Sequence, residues 1–172
     1  LAQYAVLEQM GILNKPAVDG LPGDLDLFCK PGGRLGGHPD RGVPGIEAST
    51  RSLGHGLPIA VGMALADSQR HVYVVMSDGE MQEGNTFEAA LFARQHNLKN
   101  LYAICDNNQY QALGKIKDIL DLETAFDFYK KTLPHFERVK TIKGGNIDFL
   151  QGTKGHYLNL TEETLRQALE KI

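Results

Sequence analysis

The chain has 172 residues, a formal net charge of −3 at pH 7 and two cysteines, a length that predicts one domain with a sizeable core. No basic cluster exceeds two residues and the longest apolar runs, 58–66 and 72–76, cannot span a bilayer, so neither nucleic acid nor a membrane is an expected partner. Cys29 and Cys105 make no disulfide framework and point to a reducing cytoplasm, while the start at Leu1 without Met leaves room for residues upstream.

Residues 1–13 read as the end of an amphipathic helix, with Leu1, Ala5 and Gln9 on one line and Tyr4 and Leu7 on another. Residues 14–51 form a long Gly/Pro-rich connection, and loops of that length inside a compact domain are usually functional. Glycines cluster between Gly20 and Gly62, which predicts close approach of backbone to a ligand or to packed helices. Gly32-Gly33-Arg34-Leu35-Gly36-Gly37 lacks a following Lys-Ser/Thr and a preceding strand, so a nucleotide-binding loop is rejected. Residues 54–68 read as a helix whose Ala60, Gly62 and Ala64 allow close packing on a sheet. The run from His71 through Met76 reads as a buried parallel strand ending at Asp78. A helix is expected over 87–97, with Asn85 as its cap, Glu88 reaching back in a capping box, and Phe87, Ala90, Leu91 and Ala93 facing the core. Leu101-Tyr102-Ala103-Ile104-Cys105 reads as a second strand ending before Asn108. A helix over 121–131, a short strand over 136–142 and a capped terminal helix over 161–172 complete the pattern. The expected fold is α/β, a mostly parallel sheet with helices on both faces, in one domain over 1–172.

Strand, helix and strand between His71 and Cys105 make a βαβ unit, whose crossover returns the chain beside its first strand. Asp78 and Asn108, 30 residues apart, then meet at the carboxyl edge of the sheet, where open α/β sheets bind ligands. Their side-chain oxygens, with the main-chain carbonyl of Tyr110, make half of an octahedral oxygen site. Mg²⁺ completes such a site with phosphates and water. Asp-Gly and Asn-Asn are also ordinary turn dipeptides, so the pair alone does not decide. No His/Cys spacing points to zinc.

Ser77-Asp78-Gly79-Glu80-Met81-Gln82-Glu83-Gly84 followed by Asp106-Asn107-Asn108-Gln109-Tyr110 resembles the thiamine-diphosphate signature, written Gly-Asp-Gly, a spacer, then Asn or Asn-Asn. Further stretches narrow the resemblance to the transketolase family, in that family's order: Gly37-His38-Pro39-Asp40-Arg41-Gly42, Pro44-Gly45-Ile46-Glu47-Ala48-Ser49-Thr50, Ser52-Leu53-Gly54-His55-Gly56-Leu57, Glu88-Ala89-Ala90 and Lys140-Thr141-Ile142-Lys143-Gly144-Gly145. The chain is long enough for only one of a transketolase's domains. It resembles the N-terminal, diphosphate-binding chain of a split enzyme. By that resemblance the cofactors are thiamine diphosphate and Mg²⁺, and the reaction transfers a two-carbon ketol unit from a ketose to an aldose. The partner implied is a second transketolase-like chain carrying the pyrimidine-binding and C-terminal domains, assembled as a dimer of heterodimers. The substrate implied is a sugar or sugar phosphate.

The resemblance assigns Asp78, Asn108 and the Tyr110 carbonyl to the metal. It assigns Gly79, Glu80, Ser52, Leu53 and Gly54 to the cofactor. His38 and His156 are the catalytic candidates, since imidazoles titrate near neutrality and can carry protons. Glu83 resembles a glutamate at the subunit interface. Ser77 stands where the family has Gly, and is small enough to be tolerated. Arg51 also replaces a Gly and has two readings, a cation toward the diphosphate or substrate, and a surface ion pair. The family's early Ser-x-Gly-His motif is not found. A strand–helix unit with a Gly-His-Asp signature is also missing, deleted or unobserved, after about 114–135. Two other readings stand beside the main one. One is an E1-like 2-oxo acid decarboxylating or deoxyxylulose-phosphate-synthase-like subunit, and the other is a degenerate, non-catalytic partner subunit.

Overall fold

The structure, a computed structural model, describes residues 2–16, 21–159 and 161–171. Leu1, Gly20 and Ile172, which the sequence reading used, lie outside the described residues. The chain divides into two compact units, Leu1–Ser52 and Leu53–Ile172.

The first unit opens with α1 (Ala2–Gln9), whose buried residues are Tyr4 and Leu7. The rest of its described residues are irregular apart from a 3-10 turn at Leu25–Leu27. It is nevertheless packed: Leu13, Leu35, Val43 and Ile46 close a small core around Tyr4 and Leu7. Gly45 is required there, because it adopts φ +79° and a Cβ would lie 2.5 Å from the Leu7 side chain.

The second unit runs α2 (Gly56–Ala66), β1 (Val72–Ser77), a 3-10 turn (Gly79–Gln82), α3 (Gly84–Gln95), β2 (Leu101–Asn107), a short hairpin of β3 (Tyr110–Gln111) and β4 (Gly114–Lys115), α4 (Ile116–Ile119), α5 (Glu123–Thr132), β5 (His135–Lys140) and α6 (Glu162–Leu169). The main sheet has the order β1-β2-β5 and is parallel throughout. Ser77 lies opposite Asp106, and Asn107 opposite Lys140. Three strands therefore release the chain at one edge, at Asp78, Asn108 and Thr141.

The mostly parallel α/β sheet expected from the sequence is what forms. Val74, Met76, Leu101, Ala103 and Cys105 point alternately into one core with residues of α2, α3 and α5. Helices were expected on both faces, whereas these three gather on one; Tyr73 and Val75 on the other face are 64% and 72% exposed. Two local expectations fail. The cap of α3 is Glu83, not Asn85, and no side-chain cap bond forms. The 3-10 turn ends at Glu83, so the helix starts earlier and Asn85 falls in its first turn, while the Thr86 hydroxyl donates to the Glu83 carbonyl at 2.6 Å. Leu91 is 54% exposed, since the core stripe of α3 is Thr86, Ala89, Ala90 and Ala93. The capped terminal helix does form, with a reciprocal box between Thr161 and Thr164.

Candidate functional site

Asp78 sits where β1 gives way to the 3-10 turn, and only 1% of it is exposed. Its Oδ1 accepts from the Gly79 N–H at 2.8 Å and its Oδ2 from the Gln109 N–H at 2.5 Å. The carboxylate thus bridges the turn after β1 to the turn after β2. Burial pushes its carboxyl above the ordinary range, against the pull of the two amides. Gln109 reaches Asp78 by adopting φ +67°, a left-handed conformation uncommon outside glycine. Its carbonyl accepts from Ile116 N–H at 3.0 Å, which anchors the short hairpin to the same turn.

Asn108 follows directly. Its Oδ1 accepts from Tyr110 N–H at 3.0 Å, and its Nδ2 donates to Asp106 Oδ2 at 3.4 Å. The Thr141 hydroxyl donates to the other Asp106 oxygen. The turn after β2 is therefore tied on one side to Asp78 and on the other to the chain leaving β5.

The 3-10 turn presents Gly79 and Glu80. A Cβ at Gly79 would lie 3.2 Å from both Cβ and Oε1 of Gln111, so a side chain there would have to push the Gln111 side chain aside by a few tenths of an ångström. Ser77 Oγ accepts from Glu80 N–H at 3.1 Å, so the hydroxyl supports the turn that it enters. Glu80 Oε1 accepts from Gly54 N–H at 3.0 Å, joining the segment before α2 to the turn. Gly54 adopts φ +81°, and a Cβ there would meet Glu83 Cβ at 2.7 Å. Leu53 is 55% exposed, and Glu83 is exposed at the start of α3.

Lys143 and His156 complete the cluster. The Lys143 ammonium feels the charges of both Asp78 and Asp106, yet burial keeps its pKa below the ordinary lysine value. Its Nζ donates to His156 Nδ1 at 2.9 Å, which leaves the imidazole proton on Nε2. Partial desolvation, then the neighbouring ammonium, lower the His156 pKa. Sequence reasoning had marked His156 but not Lys143, Thr141 or the Gln109 amide. The Lys-Thr-x-Lys-Gly-Gly stretch was the available signal for the first two.

The remaining candidates lie in the first unit. His38 is exposed, and the Tyr4 hydroxyl donates to the carbonyls of Gly36 and His38 at 3.2 and 3.3 Å, holding that loop from beneath. Ser52 is exposed. Arg51 pairs with Asp40 at 3.1 Å with both side chains largely exposed, the surface ion pair of its two readings.

The donor set fits a hard divalent cation bridged to a diphosphate. Asp78 and Asn108 offer only oxygen, and among the described residues no cluster of three or more His, Cys, Asp or Glu forms a closed metal cage. Mg²⁺ is held in that way, by one or two protein oxygens plus phosphate and water. A cation beside Asp78 favours its ionised form, and a diphosphate beside Lys143 favours the ammonium.

Residues 17–135 match the family profile described as the thiamine diphosphate binding domain of transketolase. The chain is 33% identical to an apulose-4-phosphate transketolase subunit of Phocaeicola vulgatus, over 99% of this chain and 70% of that protein. It is 33% identical to the 6-deoxy-6-sulfo-D-fructose transketolase subunit SqwG of Clostridium sp., over 86% of this chain and 66% of that one. The crystal structure of transketolase from Campylobacter jejuni superposes with a TM-score of 0.75 at 26% identity, covering 86% of this chain and 29% of that one. The chain thus spans about two thirds of its subunit relatives and under a third of a full-length transketolase. Among the described residues, no helix is long and apolar enough to cross a membrane.

Proposed function

The chain belongs to the transketolase family through its thiamine-diphosphate-binding domain, and from that premise we propose that it is the diphosphate-binding subunit of a two-chain ketol transferase. One observation carries the reading. Buried Asp78 and the Asn108 turn are joined at the carboxyl edge of a parallel sheet, with Lys143 and His156 beside them. Asp78, Asn108 and the Tyr110 carbonyl would hold Mg²⁺. Lys143, in the field of Asp78 and Asp106, would face the diphosphate, and the family resemblance adds Gly79, Glu80, Ser52, Leu53 and Gly54 as cofactor-binding residues. Bound there, the cofactor would supply the nucleophilic carbon that ketol transfer needs.

The chain's own side chains supply orientation and proton handling. His156, kept neutral beside Lys143, can hold a proton on Nε2 toward a sugar hydroxyl or carbonyl oxygen. By the family resemblance, His38 is the other catalytic candidate. The subunit relatives are named for ketoses bearing a phosphate or a sulfonate, which supports a sugar or sugar phosphate as substrate. The subunit designations of those relatives, and the short span of full transketolases that this chain covers, support a second chain carrying the pyrimidine-binding and C-terminal domains. Exposed Glu83 at the start of α3 is our interface residue, in a cytoplasmic dimer of heterodimers.

We also infer that a strand–helix unit after about 114–135 is deleted or unobserved here. The alignment with the Phocaeicola protein runs over 203 residues, so that relative carries residues with no counterpart in these 172. β5 passes directly to Thr141 and Lys143, and both still reach Asp106 or its field.

The test is calorimetric titration of Mg²⁺ and thiamine diphosphate into the chain and its Asp78→Asn variant. Outer-shell partners of a metal typically contribute about 10- to 100-fold in affinity, and loss of a direct ligand should cost more. Undiminished binding by Asp78→Asn would remove the site from Asp78.

A further inference from the structure

Arg138 lies on the face of β5 that Phe136 presents to the core, two residues along the strand. Its guanidinium carbon sits 3.9 Å over the Phe126 ring. Nη1 and Nη2 donate in parallel to Glu123 Oε2 and Oε1 at 2.9 and 2.8 Å. The remaining edge of the fork meets Asn107, where Oδ1 accepts from Nε at 2.8 Å and from Nη2 at 3.1 Å. That amide orientation follows from its partner, since a guanidinium only donates and the opposite orientation would set donors against donors. One side chain thereby joins β5, the first residue of α5 and the last residue of β2.

Asn107 is 4% exposed and leads directly into Asn108. Its carbonyl accepts from Thr141 N–H at 3.3 Å, so the backbone on both sides of the site is registered at this residue. The Glu123 partner is 70% exposed, and an ion pair so open to solvent contributes little to stability. A leucine at position 138 could pack on Phe126 as well as the guanidinium does. It could not satisfy the buried Asn107 oxygen, and an unpaired buried acceptor turns away or takes its backbone with it.

We propose that Arg138 is a positioning residue for the diphosphate–metal site, acting through Asn107 to fix the point where β2 releases the chain into Asn108, Gln109 and Tyr110. This rests on the reading of that site as one for Mg²⁺ and thiamine diphosphate. Arg138 touches neither group. Its effect is on the amides that register the turn, Gln109 N–H on Asp78 and Tyr110 N–H on Asn108.

Amide hydrogen exchange by NMR, with calorimetric titration of Mg²⁺ and thiamine diphosphate, tests this on the full chain. Arg138→Met should speed exchange at Gln109 and Tyr110 at least about tenfold and weaken cofactor binding by about 10- to 100-fold, leaving exchange at Val75 and Ala103 unchanged. Arg138→Lys keeps the charge but loses the fork, so it should fall between, and it carries the test if Arg138→Met does not fold. Glu123→Gln keeps the Asn107 bond and should leave exchange at Gln109 and Tyr110 at the wild-type rate. Uniformly faster exchange across β1 and β2 would make Arg138 a stability residue only, and unchanged exchange at Gln109 and Tyr110 would remove its role. If the wild-type chain takes up no cofactor, the reading of the site fails, while the exchange rates still decide whether Arg138 holds the turn.

Discussion

At the scale of single residues, the site is a set of charges held in forms that burial disfavours. Asp78 and Lys143 are each shifted toward neutrality by desolvation, and each is partly restored by the other's charge. His156 shows the consequence most directly. Partial desolvation and then the Lys143 ammonium, 2.9 Å from Nδ1, hold its folded pKa below its unfolded value. NMR titration of the His156 ring should give a pKa below the ordinary histidine value of about 6.5, and Lys143→Met should raise it. The sign for stability follows. The unfolded chain takes up this proton first, so the contribution is full above the unfolded pKa and declines as pH falls through it toward the folded pKa. A His156 pKa that does not move in Lys143→Met would mean that the ammonium is not its neighbour in solution.

At the scale of elements, α5 acts as a brace under the candidate site edge. The Tyr129 ring is fully buried, and its hydroxyl reaches Thr86 Oγ1 of α3 at 2.6 Å and the Met81 carbonyl of the 3-10 turn at 3.2 Å. Burial pushes that phenol up to about 12, so it remains a hydrogen-bond donor throughout the working range. Tyr129→Phe keeps the ring packing against Phe87 and Phe136 and removes only the hydroxyl. The expected cost is about 1–3 kcal/mol, from leaving a buried partner unpaired, read as a lower urea midpoint with an unchanged slope. The βαβ unit and its two site-bearing turns were legible in the sequence, because apolar runs and Asp-Gly or Asn-Asn punctuation are local signals. The α3 cap was misread for a reason that is not local. Asn85 is a good cap residue, but the 3-10 turn that delivers the chain to Glu83 depends on Asp78 being anchored to Gln109 across the sheet.

At the scale of the molecule, the chain covers 29% of the Campylobacter transketolase, and the proposed two-chain reading follows from that short span. The purified chain should therefore show no ketol transfer with ketose and aldose phosphates, even with Mg²⁺ and thiamine diphosphate present. Turnover should appear when the second chain is supplied. Robust activity of the single chain would defeat the two-chain reading. Tyr73 and Val75 leave one sheet face exposed, where parallel sheets are ordinarily covered on both faces.

Periodicity and turn chemistry by themselves determined that β1 and β2 are parallel neighbours and that Asp78 and Asn108 share an edge. Hydrophobic runs and short polar turns encode such facts within a few residues of where they act. Only the tertiary structure decided that Lys143 stands in the field of Asp78, that Tyr4 supports the His38 loop, and that Arg138 holds Asn107. Those pairings join residues 31 or more positions apart. Lysine, tyrosine and arginine at such positions carry no local pattern, and their partners are chosen by the register of β5 on β2 and by the packing of α1 and α5. The same sheet order, β1-β2-β5, brings Thr141 to Asp106 with no further strand between β2 and β5, a juxtaposition set by strand pairing and not by any motif.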